Sequence, residues 1–423
     1  MSKRFQILLT AASAALLSTQ ALAQDLFIQD ATVVTESGQQ ADTDILIRGG
    51  QIAQIGSDLT APDGMDVLDG AGQWVTPGLF SSFSTLGLVD VAAESSTNDM
   101  SASDADTSVS ERAVDSFNPR TAHIANTRRR GVTHAVVSPS PSGESIFAGI
   151  GLIVRTTGDF ESVVNDSAFV HVALGETGSS RAGGSRSAAL AQLRAALDDA
   201  EGYPSRYRSP TDGDALSRQD AAALAPAVRG EVPMIIAASR ASDLLGIVRL
   251  KEEYPALDII VLGATEGWQV ADALAAADIK VIVDPVQDLP SKFEDLGARY
   301  ENVLLLDEAG VDYAISNLTS FRVTKPTALG QHAGNAVGNG LSWDKAFAAI
   351  TSTPAGWFDL PSSDIATGPI TNLVVWDGDP LEATSAPVKV WIDGVEQSLE
   401  SRQSLLRDRY NPLNESDMPH KYR

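Results

Sequence analysis

Between residues 133 and 315 the chain repeats one unit, a short apolar β-branched run, and several of these runs are followed by an amphipathic segment. The runs are 133–137, 169–172, 233–236, 259–262, 280–283, 303–306 and 312–315, and the helical segments include 241–253, 268–277 and 343–352. Strands that are apolar on both faces and separated by helices predict a parallel sheet covered on its outside. The chain is therefore expected to be α/β, and a (β/α)8 TIM-like barrel accommodates this many units best. A doubly wound open sheet fits less well, because no Gly-rich phosphate loop follows the first strand.

The flanks read differently. From Leu26 to Gly72, five short β-rich runs alternate with turns, and Gly49-Gly50 fits a tight hairpin. Similar runs return at Leu373–Trp376 and Val388–Ile392. Five strands in so short a segment hold little core alone, so both ends are expected to build one small β-sandwich. The expected division is 24–73 with 364–400 for the sandwich, 74–363 for the barrel and 401–423 for a C-terminal tail. Two low-complexity stretches, 92–110 and 175–187, are expected to be surface loops or lids of the barrel mouth.

Residues 1–23 carry Lys3 and Arg4, an apolar stretch from Ile7 to Leu17, and Ala21-Leu22-Ala23. That order matches a secretory signal peptide cleaved after Ala23, which predicts a periplasmic protein. The apolar run falls short of the roughly 20 residues a membrane span needs. The chain has no cysteine, which excludes disulfides and thiolate metal sites. Its 31 Lys and Arg face 55 Asp and Glu, a net charge of −24 that disfavours nucleic acid and anionic lipid as partners.

One segment, Trp74-Val75-Thr76-Pro77-Gly78-Leu79-Phe80-Ser81-Ser82-Phe83-Ser84-Thr85-Leu86-Gly87, carries a family resemblance. It is similar to the first barrel strand of the amidohydrolase superfamily, in particular the imidazolonepropionase-like and exported metal-dependent hydrolases, whose pattern there is V-x-P-G-L-I-D-x-H-x-H-L-G. Ser81 stands in the aspartate slot, and Phe83 and Thr85 stand in the two histidine slots. Val232–Ala241 resembles the family's histidine-bearing strand with Ala237 in the ligand slot. Gly310–Asn317 resembles the last barrel strand, whose closing aspartate is replaced by Asn317, or by Ser316 if the alignment is one residue off. Ala333–Leu341, Thr351–Ala355 and Trp376–Leu381 match the family's closing segments, while Gly368–Leu373 departs from the usual G-K-x-A-D-L.

The resemblance implies hydrolysis of C–N bonds in cyclic amides or dipeptide-like substrates at a divalent metal. A catalytic zinc takes about three protein ligands. Phe83 and Ala237 have no donor atom, Thr85 offers a neutral hydroxyl, and Asn317 offers an amide that cannot act as a general base. The expectation is a metal-free, catalytically impaired member that binds a small-molecule ligand or supports a partner, either a second copy or a related, intact amidohydrolase. The alternative is an active hydrolase with a non-standard site, with zinc as cofactor or with carboxylates. For that alternative the weak metal candidates are His134 and His171, and the weak catalytic candidates are Asn317, Glu266 and Asp284. His123 and His420 read as surface residues, and His332 as a helix-start residue near the barrel top. No G-x-S-x-G elbow supports a serine nucleophile.

Overall fold

The computed structural model describes residues 25–102, 108–208, 213–318, 326–361 and 364–411. The proposed signal segment, His420 and the last residues of the tail lie outside the described residues.

The N-terminal part supplies β1 (Leu26–Thr35), β2 (Gly38–Arg48), β3 (Gln51–Gly56), β4 (Asp66–Asp69) and β5 (Trp74–Thr76). Next come β6 (Leu79–Ser81), α1 (Ala122–Arg128), β7 (Val132–Val137), β8 (Phe147–Arg155) and β9 (Val163–Ala173). Helices α2 (Gly175–Arg181), α3 (Arg186–Glu201) and α4 (Arg218–Val228) lead to β10 (Met234–Ala238) and α5 (Ala241–Glu253). β11 (Ile259–Gly263), α6 (Ala271–Ala276), β12 (Lys280–Val283), α7 (Asn302–Glu308) and β13 (Tyr313–Ile315) continue the alternation. Three helices follow, α8 (Leu329–Gly338), α9 (Trp343–Ala348) and α10 (Ser352–Trp357). The chain then forms β14 (Gly368–Pro369), β15 (Asn372–Trp376), β16 (Pro387–Ile392), β17 (Val395–Glu396) and α11 (Arg402–Tyr410).

Two sheets result. The first runs β14-β3-β2-β1-β5-β15-β16-β17, with β4 beside β1. β14 and β15 are separated by two residues, yet they pair at distant points of that order, so the sheet must fold back on itself. One core accordingly joins Ile45 and Ile47 of β2 to Leu373 and Val375 of β15 and to Trp391 of β16. Both ends of the chain build this unit, as expected.

The second sheet contains β6 to β13 in chain order. Its edges are brought together by the segment after α9: the Ile315 N–H donates to the Ala349 carbonyl (3.0 Å) and the Phe80 N–H to the Ile350 carbonyl (2.8 Å). Each strand contributes one residue to an inner layer, made of Phe80, Val136, Ile153, Phe169, Ile235, Ile260, Ile282 and Ala314. Neighbours of opposite parity, such as Val170, Ile236 and Val261, pack outward in the core shared with the helices. Burial on both faces is the physical reason the runs read as continuously apolar. The indole of Trp357 donates to Asp312 (2.6 Å), just ahead of β13, and closes the N-terminal end of the barrel.

Three details differ from the sequence reading. β8 is antiparallel to both neighbours, so the barrel is parallel-rich and not a uniform series of βα units. The run 303–306 is helical, within α7, not a strand. Residues 175–187, expected as a loop, form α2 and the start of α3.

Candidate functional site

Side chains alternate along a strand, so the residue two positions beyond the inner layer faces the same way. At the C-terminal mouth of the barrel this places Ser138, His171, Ala237, Leu262, Asp284 and Ser316 in one ring, with Phe83 packed into the inner layer from the first strand. This is the end at which barrel enzymes assemble their sites.

The first-strand hydroxyls are absorbed by the backbone. Ser81 and Ser316 both donate to the Phe83 carbonyl (3.2 Å each), Ser82 to Ile315 (3.4 Å) and Ser84 to Val136 (2.7 Å). Each of these serines is buried. A nucleophilic serine needs a base, and these hydroxyls instead serve to stitch β6 to β7 and β13. The Thr85 hydroxyl is buried without a hydrogen-bond partner among the described residues. Asn317 is fully buried, and Ala237 is half-buried.

His171 is held from one side. Its Nδ1 lies 2.8 Å from the Ser138 hydroxyl and 3.1 Å from the Pro139 carbonyl. A carbonyl accepts only, so Nδ1 carries the proton, and Nε2 presents a lone pair that finds no partner among the described residues. Burial pushes this imidazole down to about 4, opposed by the hydrogen bond to Pro139. His134 is also pushed down to about 4 by burial, and its ring stacks on Phe80 with centroids 6.5 Å apart.

The two histidines are not brought together. Along β8, His134 pairs opposite Arg155 and His171 opposite Gly149, six positions away. At about 3.3 Å per residue that separation is roughly 20 Å. They lie at different levels of the barrel and cannot share an ion.

The two carboxylates at strand ends are engaged structurally. Asp284 is buried and accepts from Nδ1 of His332 (3.0 Å), the Val286 N–H (3.1 Å) and the Leu318 N–H (3.1 Å). His332 sits in the first turn of α8, as its sequence position implied, and is buried. Glu266 accepts from the Ala241 N–H (2.9 Å), where α5 begins, and from the Gly297 N–H (3.1 Å). A carboxylate at a helix N-terminus satisfies otherwise orphaned donors. His123 lies on α1, half-buried and not freely exposed as its sequence position implied.

The sequence reading missed a contact at the mouth: buried Asp295 reaches back to the Thr265 hydroxyl (3.2 Å) from the loop after β12. Nothing in the local sequence around Asp295 signals that long-range tie.

The residues that the family resemblance places in ligand slots, Ser81, Phe83, Thr85, Ala237 and Asn317, together offer only neutral oxygen donors. Among the described residues no three His, Asp or Glu side chains are grouped closely enough to hold an ion.

With this geometry in view, comparisons with known proteins define the class: the chain has the amidohydrolase fold. It resembles an amidohydrolase from Thermotoga maritima with a TM-score of 0.75 and 24% identity, over 88% of this chain and 99% of that one. A molinate hydrolase matches with a TM-score of 0.52 at 17% identity, over 89% and 95% of the two chains. A prolidase matches with a TM-score of 0.53 at 14% identity, over 88% and 99%. These neighbours agree with the resemblance carried by the first-strand motif. In sequence, a stretch of 60 residues is 42% identical to amidohydrolase tasK of Hapsidospora irregularis, covering 14% of this chain and only 6% of that protein. No family model matches the chain. No helix among the described residues is long and apolar enough to cross a membrane.

Proposed function

We propose that this chain is an exported, periplasmic member of the amidohydrolase superfamily that has given up metal-dependent hydrolysis. It keeps the barrel as a binding scaffold for a small-molecule ligand or a partner subunit. The superfamily reading rests on the fold and on the order of the matched segments. The loss of hydrolysis rests on the positions that the resemblance places in ligand slots: Phe83 and Ala237 have no donor atom, and Ser81, Thr85 and Asn317 offer only neutral oxygens. Phe83 goes further than removing a ligand, because its ring joins the inner apolar layer and packs against His171.

The chemistry left at the mouth is recognition chemistry. The polar atoms without a partner there among the described residues, His171 Nε2 and the Thr85 hydroxyl, are themselves buried, and Phe83 packs edge-to-face against His171. Asp284 has three donors on its two oxygens and is a tie between the end of β12, α8 and the segment that follows β13. The alternative reading, an active enzyme with a carboxylate site, would have to begin from that Asp284–His332 pair.

Metal analysis of the purified protein tests the proposal. The expected result is zinc far below one equivalent, with no metal-dependent rise in melting temperature. Near-stoichiometric metal that survives dialysis against chelator would overturn it.

A further inference from the structure

Helix α11 buries none of its nine residues, and Ser404 alone among them is half-buried. Its start is nevertheless fixed to the body. Ser401 is buried and accepts from the Arg129 guanidinium (2.7 Å) and from the Ser404 N–H (3.2 Å), while its own N–H donates to the Ser404 hydroxyl (2.9 Å). Arg128, the preceding residue, donates to the Ser398 carbonyl (3.0 Å) and to the Thr157 carbonyl (3.0 Å). These bonds leave Ser404 toward the body and turn the rest of the helix to water. An isolated helix shorter than about 12–15 residues is marginal in water. A nine-residue helix that packs no face on its own chain gains stability only from a surface outside it.

The side chains of α11 are sorted. At about 100° per residue, Leu405, Arg409, Arg402, Leu406 and Tyr410 fall in one arc of about 140° on the side opposite Ser404. Leu405, Leu406 and Tyr410 are 54%, 39% and 50% exposed, and the Arg409 guanidinium lies 5.2 Å over the Tyr410 ring. Arg407 borders the arc, and Asp408 stands behind it on the Ser404 side, paired with Arg407. Three arginines and one aspartate in this helix contrast with a chain in which 55 acids outnumber 31 bases. Exposed Arg130 and half-buried Arg129 stand at its start, against exposed Glu400. Charge effects reach only about 10 Å in 0.1 M salt. A helix that stands out from the body therefore presents its own charges to a surface ahead of the acidic charge of the whole chain.

We infer that α11 docks on an anionic phospholipid surface. The helix lies flat, with Leu405, Leu406 and Tyr410 at the boundary between headgroups and acyl chains and with Arg402, Arg407 and Arg409 among the phosphates. The sign of the surface follows from the arginines, and its fluid nature from their mixing with apolar groups on one arc. A guanidinium on an apolar stem reaches past buried aliphatic neighbours to the phosphate level, and tyrosine settles among headgroups. Lipid needs no groove shaped to two leucines and three dispersed cations, whereas a folded protein partner does. Arg129 closes α1 just ahead of β7, at the N-terminal end of the barrel. Docking there leaves the C-terminal mouth open, and the inference stands independently of what the mouth binds.

Co-sedimentation with lipid vesicles provides the test, using the chain from Gln24 onward so that the apolar 7–17 stretch does not itself insert. Binding is expected to vesicles of phosphatidylcholine with about 30% phosphatidylglycerol at low salt, with little to phosphatidylcholine alone and a loss at about 0.5 M salt. Each basic residue near an anionic surface is worth roughly fivefold, so Arg402→Gln, Arg407→Gln and Arg409→Gln together should weaken binding at least about tenfold. Leu405→Ser with Leu406→Ser should weaken it as well. Both sets of side chains are exposed, so the melting temperature should stay the same. No binding of the natural chain to the anionic vesicles overturns the inference. So does equal binding to neutral vesicles, or unaltered binding by either set of variants. If a variant misfolds, the salt dependence and the anionic-to-neutral ratio of the natural chain decide the question.

Discussion

Phe83 meets His171 with ring centroids 5.4 Å apart and planes at 81°, an edge-to-face contact at the centre of the barrel mouth. The aromatic ring occupies a slot that the family resemblance assigns to a metal-binding imidazole, and it covers the one histidine that lies in the ring of mouth residues. A buried imidazole beside a benzene ring is stable only in its neutral form. Both His171 and His134 are accordingly held down to about 4 by burial.

The first prediction follows from that depression. Above the ordinary histidine pKa of about 6.5, both forms of the protein carry neutral imidazoles and these groups contribute no pH dependence. Between about 6.5 and 4 the unfolded chain binds protons that the folded chain does not, so stability falls as the pH is lowered. The slope from two such groups is at most about 2.7 kcal/mol per pH unit, and it levels off below the folded value. Urea titrations across this window should show the loss, and His171→Phe should flatten roughly half of it. An unchanged slope in His171→Phe would sink the assignment.

The second prediction concerns the ligand slots. Replacing Ser81 and Asn317 by aspartate, and Phe83, Thr85 and Ala237 by histidine, restores the donor set that the resemblance implies. The substituted protein is expected to bind zinc at least roughly tenfold more tightly than the natural chain in calorimetry. Removing the Phe83 ring from the inner layer also costs packing, on the order of 3 kcal/mol, so a lower melting temperature should accompany the gain. If the grafted residues bind no better, the slots do not converge as the alternation of the strands implies.

The third prediction is set by Asp284. Its carboxylate answers three donors, two of them main-chain N–H groups and the third the buried His332. Asp284→Ala leaves all three without an acceptor, at about 1–3 kcal/mol each, so a destabilisation of at least about 3 kcal/mol is expected. Asp284→Asn keeps an oxygen and should lose less. A variant Asp284→Ala as stable as the natural chain would show that solvent or a ligand replaces the carboxylate.

The sequence made the repeated units legible because burial on both faces leaves strands such as Ile259–Gly263 uniformly apolar. It made the two-ended sheet legible because Leu373–Trp376 repeats the style of the N-terminal strands. What escaped had specific causes. β8 contains Gly149 and Gly151, which weaken a strand's signature, and they are there for close approaches. A Cβ at Gly151 would overlap the Phe169 ring, and one at Gly149 the Glu111 carbonyl. The run Val303–Leu306 was too short for periodicity to separate helix from strand. The candidate slots in the motif could be named from the family resemblance of the first strand. The Asp284–His332 and Thr265–Asp295 ties could not, because they join residues 48 and 30 positions apart that only the closed barrel brings within reach.

The fourth prediction uses two glycines of one helix. The family-like segments Ala333–Leu341 and Trp376–Leu381 pack on each other, and α8 crosses the Pro380–Leu381 backbone through its small residues. A Cβ at Gly330 would overlap the Pro380 carbonyl oxygen, and one at Gly334 the Leu381 carbonyl oxygen. Gly338, one turn further on, would place a Cβ in open space. The same substitution should therefore have opposite signs on the same helix. Gly338→Ala is expected to stabilise by about 0.5–1 kcal/mol, because alanine loses less backbone freedom on folding. Gly334→Ala must push α8 away from the connection between β15 and β16 of the first sheet, and a loss of about 1–3 kcal/mol or more is expected. Paired melting curves of the two variants distinguish a packing constraint from simple helix propensity. If both substitutions raised the melting temperature, propensity would explain the helix and the close crossing at Leu381 would be wrong.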